Sequence, residues 1–223
     1  FFVFDFCGNL EFFGQDLPTT DGSTQKSLAE RLFETRLALI HGLDKVESDQ
    51  GLRSTTANAL HGQVAGMNLD NILVRPHRRA VEIFASRESW EALSSEDLVA
   101  LQQLAGLPTV LLYDDELAKR FDLLVMRRQL AQVTGDMYEA GRLREAIQGI
   151  AAALLGKGNI PTVAAQVVLI EAVAGDEWWV DVTLPMLEVM RLRLRALVRF
   201  VDAVRRAPVY TDFADELADA VEV

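Results

Sequence analysis

Apolar residues recur at helical spacing along most of this chain, and this pattern constrains its fold more than any other feature. Between residues 26 and 47, one stripe holds Leu28, Leu32, Leu39, Leu43 and Val46, and Phe33, Leu37 and Ile40 widen it. A stripe this wide predicts a helix that is buried along much of its circumference. Because 50% of the 223 residues are hydrophobic, the chain can fill a sizeable core.

Similar spacing predicts further helices over residues 52–67, 79–85, 97–104, 115–133, 142–155 and 162–173. We expect Ser23 or Thr24 to cap the first helix, and Asp114 or Asp115 to cap the one that ends near Val133. Thr183 or Leu184, followed by Pro185, opens a last long helix that Pro208 ends. We find no internal repeat. The sequence therefore predicts a mainly α, multi-helix, bundle-like domain with short extended segments at both ends.

The extended segments are expected at Phe1–Phe6 and at Val209–Thr211. Phe1–Phe6 reads FFVFDF, a β-rich apolar run that predicts a strand buried on both faces. Such a strand needs sheet neighbours, which a helical chain does not supply. The two ends could pair with each other, or each could join a sheet that belongs to something else.

The composition argues against several classes of protein. A formal charge of −11 disfavours a free-standing nucleic-acid binder, because phosphate neutralisation needs clustered Lys and Arg. The sequence holds no apolar run of 18 residues and no signal-peptide pattern, and its single cysteine, Cys7, fits a reducing compartment. We expect a cytoplasmic protein.

No motif for catalysis, a cofactor or a metal is recognisable. Gly156-Lys157-Gly158 lacks the length of a phosphate-binding loop, so we interpret it as a link between helices. The three histidines share no metal-ligand spacing, and a nucleophile elbow is absent. We therefore predict no catalytic, cofactor-binding or metal-binding residue in this chain.

Three groups of residues remain candidates for contacts. The adjacent Trp178 and Trp179 cannot both face one core, so one is expected to anchor the domain and the other to meet a partner, although burial of both is an equal alternative. Near them, an arginine series at i, i+4 spacing is a further candidate for the partner interface, and a carboxylate cluster near the end of the chain is expected to form salt bridges with it rather than to hold a cation. The series is Arg191, Arg195 and Arg199, and the cluster is Asp212, Asp215 and Glu216.

Several stretches, in order along the chain, carry a family resemblance. They are FFVFDFCGNLEFF (1–13), TDGSTQKSLAERLFETR (20–36), DDELAKRFDLLVMRRQLA (114–131), IPTVAAQ (160–166), DEWWVDVTLPMLEVMRLRLRALVRFV (176–201) and VYTDFADEL (209–217). Together they resemble the C-terminal helical region of the R (restriction) subunit of type I restriction–modification enzymes, within the DEAD/DEAH-box restriction helicases. Residues 51–112 carry less of the pattern.

The resemblance implies that residues 1–13 are a remnant strand and junction from an upstream RecA-like motor lobe, and that residues 14–223 are a helical C-terminal domain. The parent would be an ATP-dependent DNA translocase and endonuclease, whose ATP, magnesium and nuclease sites lie upstream. This region would dock the R subunit onto the methyltransferase and specificity subunits. The alternative is an arm that guides duplex DNA, using Arg75, Arg78 and Arg79 together with the arginine series.

Overall fold

The computed structural model describes residues 26–47, 49–110 and 115–201, and in these ranges the chain is helical, with no strand. The prediction of a mainly α, multi-helix domain is confirmed. Both predicted extended segments, Phe1–Phe6 and Val209–Thr211, lie outside the described residues. The helices are α1 (Leu28–Val46), α2 (Gln50–Ala65), α3 (Arg78–Phe84), α4 (Ser95–Gln102), α5 (Glu116–Thr134), α6 (Met137–Leu155), α7 (Pro161–Ala164), α8 (Val167–Ala174) and α9 (Leu184–Leu194). Short 3₁₀ turns span Arg75–His77, Glu88–Trp90, Glu177–Trp179 and Val198–Phe200.

Short polar side chains cap the main helices, because the first N–H groups of a helix have no hydrogen-bond partner within it. Ser27 caps α1 by accepting a hydrogen bond from the Glu30 N–H at 3.2 Å, whereas the expected caps, Ser23 and Thr24, lie outside the described residues. Asp115 caps α5 and Thr183 caps α9, as predicted.

The predicted last helix is shorter in the structure than in the sequence pattern. It ends at Leu194 and continues as a turn and then as the 3₁₀ turn Val198–Phe200. This turn buries Leu197 and Val198 together against the core. Neither glycine nor proline marks the end at Leu194, so the sequence did not reveal it.

The structure shows an internal repeat, which corrects our expectation that there is none. Helices α1 to α4 form a first unit (28–102) and α5 to α9 form a second (116–194), with equivalent residues 89 positions apart for most of their length. In the first unit, α2 packs on α1, α3 packs on α2, and α4 packs on α1. The matching contacts of the second unit join α6 to α5, α8 to α6, and α9 to α5. The short helix α7 of the second unit corresponds to residues 72–75 of the first, which form a turn leading into the 3₁₀ turn Arg75–His77.

A tryptophan turn is the clearest part of this repeat. Trp90 ends a 3₁₀ turn after α3, and its indole N–H donates to the Phe84 carbonyl at 2.9 Å. Trp179 ends the matching turn after α8 and donates to the Val173 carbonyl at 2.8 Å. Four residues beyond each tryptophan stands the hydroxyl residue that caps the next helix, Ser94 or Thr183.

The buried residues follow the same correspondence. Each unit has its own apolar cluster, and matched pairs in the two clusters are Ala57 and Ile147, Leu60 and Ile150, Val64 and Leu154, Val74 and Val163, Val81 and Ile170, Phe84 and Val173, and Leu101 and Met190. The second-helix pairs lie 90 positions apart, and α6 is three residues longer than α2 although the link before it is one residue shorter.

The units join through their first helices, α1 and α5, which form the most extensive helix contact in the described residues. The start of α1, at Leu28 and Leu32, clusters with Leu123 and Met126, and the later Leu39 and Leu43 cluster with the later Leu130 and Val133. The two helices therefore run parallel. Gly42 permits the close approach, since a Cβ there would lie 2.9 Å from Val133 Cγ1. In the ranges described, every helix is too short or too polar to cross a membrane.

Candidate functional site

The second unit replaces apolar core positions of the first unit with polar residues. Asp122 occupies the place of Phe33, Arg128 that of Leu39, and Gln129 that of Ile40. All of these side chains are buried, with Asp122 1% and Gln129 0% exposed. Buried polar groups are costly, and natural chains depart from their own packing rules mainly at functional sites. These replacements therefore define the candidate site.

Asp122 is the centre of a buried ion-pair network. Its Oδ1 accepts from Arg191 Nη1 at 2.7 Å, and its Oδ2 accepts from Arg195 Nη2 at 2.9 Å. Arg191 also donates to Glu188 Oε1 at 2.6 Å, and Gln129 Nε2 donates to the other Glu188 oxygen at 3.3 Å. The network thus ties α5 to α9.

The network shifts the pKa values of its members. Burial raises the pKa of Glu188, but the hydrogen bond and charge of Arg191, with smaller contributions from Gln129 and Arg36, outweigh it and hold the pKa below its usual value. Burial lowers the pKa of Arg191, but Glu188 and Asp122 outweigh that effect and raise it above normal. Both side chains are therefore charged at neutral pH.

A second pair of arginines surrounds the Trp179 ring. The guanidinium carbons of Arg128 and Arg144 lie 5.9 Å and 5.8 Å from the ring centroid. Arg128 is 8% exposed, donates to Gln132 Oε1 at 3.0 Å, and has a buried Nε without a hydrogen-bond partner. Burial and the like charge of Arg144 lower the pKa of Arg128. Arg144 also binds Asp176, an exposed carboxylate.

In the structure, one tryptophan is buried as an anchor and the other lies at the rim of the core. Trp179 is 5% exposed within the core of the second unit, and Trp178 packs edge-on against it, with ring centroids 4.9 Å apart, and is half-buried. Val180, the next residue, is 77% exposed. Exposed acids, Asp176, Glu177 and Asp181, stand around this turn. We call Trp178, Val180 and these acids the tryptophan corner.

The arginines of the predicted interface fall in different environments. Arg191 is buried and Arg195 is half-buried, and both bind Asp122. Arg199 is exposed and lies over the Phe200 ring, 4.9 Å from its centroid. The predicted salt-bridge acids, Asp212, Asp215 and Glu216, lie outside the described residues, so that pairing stays a prediction.

The arginines proposed for DNA contact stand on the first unit. Arg75, Arg78 and Arg79 lie on the turn before α3 and on its first residues, and all of them are exposed. Arg78 pairs with Glu82 at 2.8 Å, and Arg75 reaches the Asp70 carbonyl at 3.4 Å.

A pocket of about 280 Å³ lies where the units meet. Its apolar wall comes mainly from α1 and from the segment after α4, and includes Leu32, Phe33, Leu104 and Leu107. The charged side chains Arg36, Lys119, Asp122 and Arg195 also line it. The polar network of the second unit therefore borders the pocket directly.

Among the described ranges, no group of three His, Cys, Asp or Glu residues is placed to hold a metal ion. Comparisons of the chain with models of protein families, with curated proteins and with solved structures found no match.

The sequence pattern pointed to Arg191, Arg195 and the tryptophans but missed Asp122, Arg128, Gln129 and the pocket. One signal was present. Polar residues stand at apolar-stripe positions of α5, and they become conspicuous once α5 is aligned with α1 by the repeat.

Proposed function

We propose that this chain is a non-catalytic, cytoplasmic docking module that holds the R subunit of a type I restriction enzyme on its methyltransferase and specificity subunits. The proposal starts from the ordered family resemblance of six stretches of the sequence. The observation that supports a particular contact surface is the tryptophan corner, where the half-buried Trp178 stands close in sequence to the exposed Val180.

The repeat supplies the reason to regard this corner as a contact surface. At the equivalent turn of the first unit, Ser89 stands in place of Trp178 and Glu91 in place of Val180. That turn holds Trp90 in the core without either apolar residue. Trp178 and Val180 are thus additions that the turn itself does not need, and exposed aromatic and aliphatic residues of this kind are common anchors of interfaces.

The charges around the corner indicate what would meet it. Asp176, Glu177 and Asp181 are exposed, and one of them, Asp176, binds Arg144. An apolar centre with an acidic rim complements a partner surface that carries an apolar pocket bordered by Lys or Arg, and the opposite charges would steer their association.

Co-migration of the full chain with the purified methyltransferase and specificity subunits tests the proposal. We expect a complex whose affinity falls about tenfold or more when Val180 becomes Glu, the residue of the first unit. Val99→Glu, at a position 57% exposed on α4, is the matched control and should leave the complex unchanged. Val180 is so exposed that its variant should fold normally. No co-migration of the unaltered chain, or equal binding by both variants, would contradict docking through this corner.

The alternative, a DNA-guiding arm, is less well supported. Among its six arginines, Arg191 and Arg195 are committed to Asp122, and Arg78 to Glu82. The net charge of −11 also repels DNA at long range. Duplex binding that weakens steeply with salt, and that Arg79→Gln reduces, would favour this alternative over docking.

A further inference from the structure

We infer that the pocket between the two units binds a small molecule with an apolar body and a single carboxylate. This inference is independent of the docking proposal, because none of the residues in the tryptophan corner lines the pocket.

The shape and lining of the pocket fit the apolar body. Small-molecule sites are concave, mostly apolar, and carry a few polar groups that orient the ligand. Leu32, Phe33, Met67, Leu104 and Leu107 line the pocket at the side of the first unit, and Gln63 and Thr109 add polar atoms. At about 280 Å³, the space suits an aliphatic chain of several carbons rather than a macromolecule.

The charged part of the lining fits a carboxylate rather than an ammonium group. It consists of Arg36, Lys119, Arg195 and a single carboxylate, Asp122, which already accepts hydrogen bonds from Arg191 and Arg195. The three cations take part in other interactions within the fold. A guanidinium carries five N–H donors and an ammonium three, so a ligand carboxylate would add to these interactions without displacing them.

The repeat indicates that Asp122 and Arg195 are not simply what the fold requires. The first unit places Phe33 where the second has Asp122, and Gly106 where the second has Arg195. Buried ion pairs are weak contributors to stability compared with well-packed apolar residues. The Asp122–Arg195 pair has no counterpart at the equivalent positions of the first unit, and its place at the wall of a pocket favours recognition of a ligand.

Titration calorimetry with octanoate, octanol and octylamine tests the inference on the full chain. The probes share a tail and differ in the head group. We expect one octanoate per chain, octanol weaker by about tenfold, and no saturable binding of octylamine. Absence of saturable octanoate binding, or equal affinity for all three probes, would overturn the inference.

Two matched pairs of variants locate the site. Ala29 is exposed and lines the pocket, and Ala38 is exposed on the same helix away from it. Ala29→Phe should abolish octanoate binding and Ala38→Phe should preserve it. Lys119→Glu should weaken octanoate by about tenfold and leave octanol unchanged, whereas Lys45→Glu, at the far end of α1, should affect neither. Equal octanoate binding within either pair would place the ligand elsewhere and overturn the assignment.

Discussion

The two units of this chain build the same helical framework around different interiors. In the first unit, Phe33 and Ile40 join a cluster formed by apolar side chains, and Leu39 is fully buried nearby. In the second, the equivalent residues are Asp122, Gln129 and Arg128, and only the remaining positions form the apolar cluster. The framework therefore depends on what the units share, namely the caps, the tryptophan turns and the apolar positions of the second and third helices. What they do not share is available for function.

The tryptophan turns show one similarity and one difference between the two frameworks. Both indoles donate to a carbonyl six residues earlier, and both pack edge-on against an aromatic ring, Phe84 in one unit and Trp178 in the other. Arg53 donates to the Trp90 carbonyl, whereas Arg128 and Arg144 lie over the Trp179 ring. In the first turn an arginine therefore binds a backbone carbonyl, whereas in the second two arginines lie over an aromatic ring.

The largest effect should come from removing either anchor. Trp90→Ala and Trp179→Ala should each lower the free energy of unfolding by about 4 kcal/mol, because a large buried ring leaves a cavity and a carbonyl loses its donor. Urea unfolding followed by circular dichroism measures this. Trp178→Ala, at the half-buried rim, should cost clearly less. A loss of unfolding free energy below about 1 kcal/mol for Trp179→Ala would show that the two turns are not equivalent.

The Asp122 network should give the next largest effect. Asp122→Asn leaves Arg191 buried beside a neutral amide and should lower the free energy of unfolding by about 3 kcal/mol, since breaking a buried pair leaves an uncompensated charge. Glu116→Gln removes the exposed partner of Arg120 on the same helix and should cost less than about 0.5 kcal/mol. Equal losses in urea unfolding would show that burial of Asp122 is not what matters.

The sequence predicted the helices well because helical spacing and caps are local signals. Leu28, Leu32 and Leu43 identify α1 by their spacing alone, and Asp115 and Thr183 stand where caps were expected. The position of Leu194 as a helix end was not predictable, because tertiary packing of Leu197 and Val198 ends the helix there. The extended ends and the salt-bridge acids remain predictions.

The repeat and the candidate site escaped prediction for a related reason. The units share few identical residues, and the offset changes from 89 to 90 and back, so a direct comparison of the two halves gives little signal. What they conserve is burial, as at Val74 and Val163, and burial appears only in the folded chain. Asp122 likewise reads as an ordinary helix-surface residue until α1 and α5 are seen to be equivalent.

Substitution of Arg128 should raise, rather than lower, the free energy of unfolding. Its Nε is buried without a hydrogen-bond partner, and the first unit has Leu39 at this position. Arg128→Leu should therefore raise the free energy of unfolding by about 1 kcal/mol, because a desolvated charge is replaced by a packed side chain. Arg127→Leu is the control, since Arg127 binds Glu139 at 2.6 Å and its loss should destabilise the chain slightly. Destabilisation by Arg128→Leu would mean that its contact with the Trp179 ring contributes more than its desolvation costs.

The smallest effect should be a difference in acid sensitivity. Because the folded chain holds the pKa of Glu188 below its ordinary value of 4.5, the stability that this residue contributes is present above that value and is lost as the pH falls through the folded pKa. Glu188→Gln should therefore flatten the dependence of unfolding free energy on pH below about 4.5, by at most about one proton in the slope. Urea midpoints measured from about pH 6 to about pH 3 check this. An unchanged slope in Glu188→Gln would show that the buried network of the second unit does not determine how stability falls in acid.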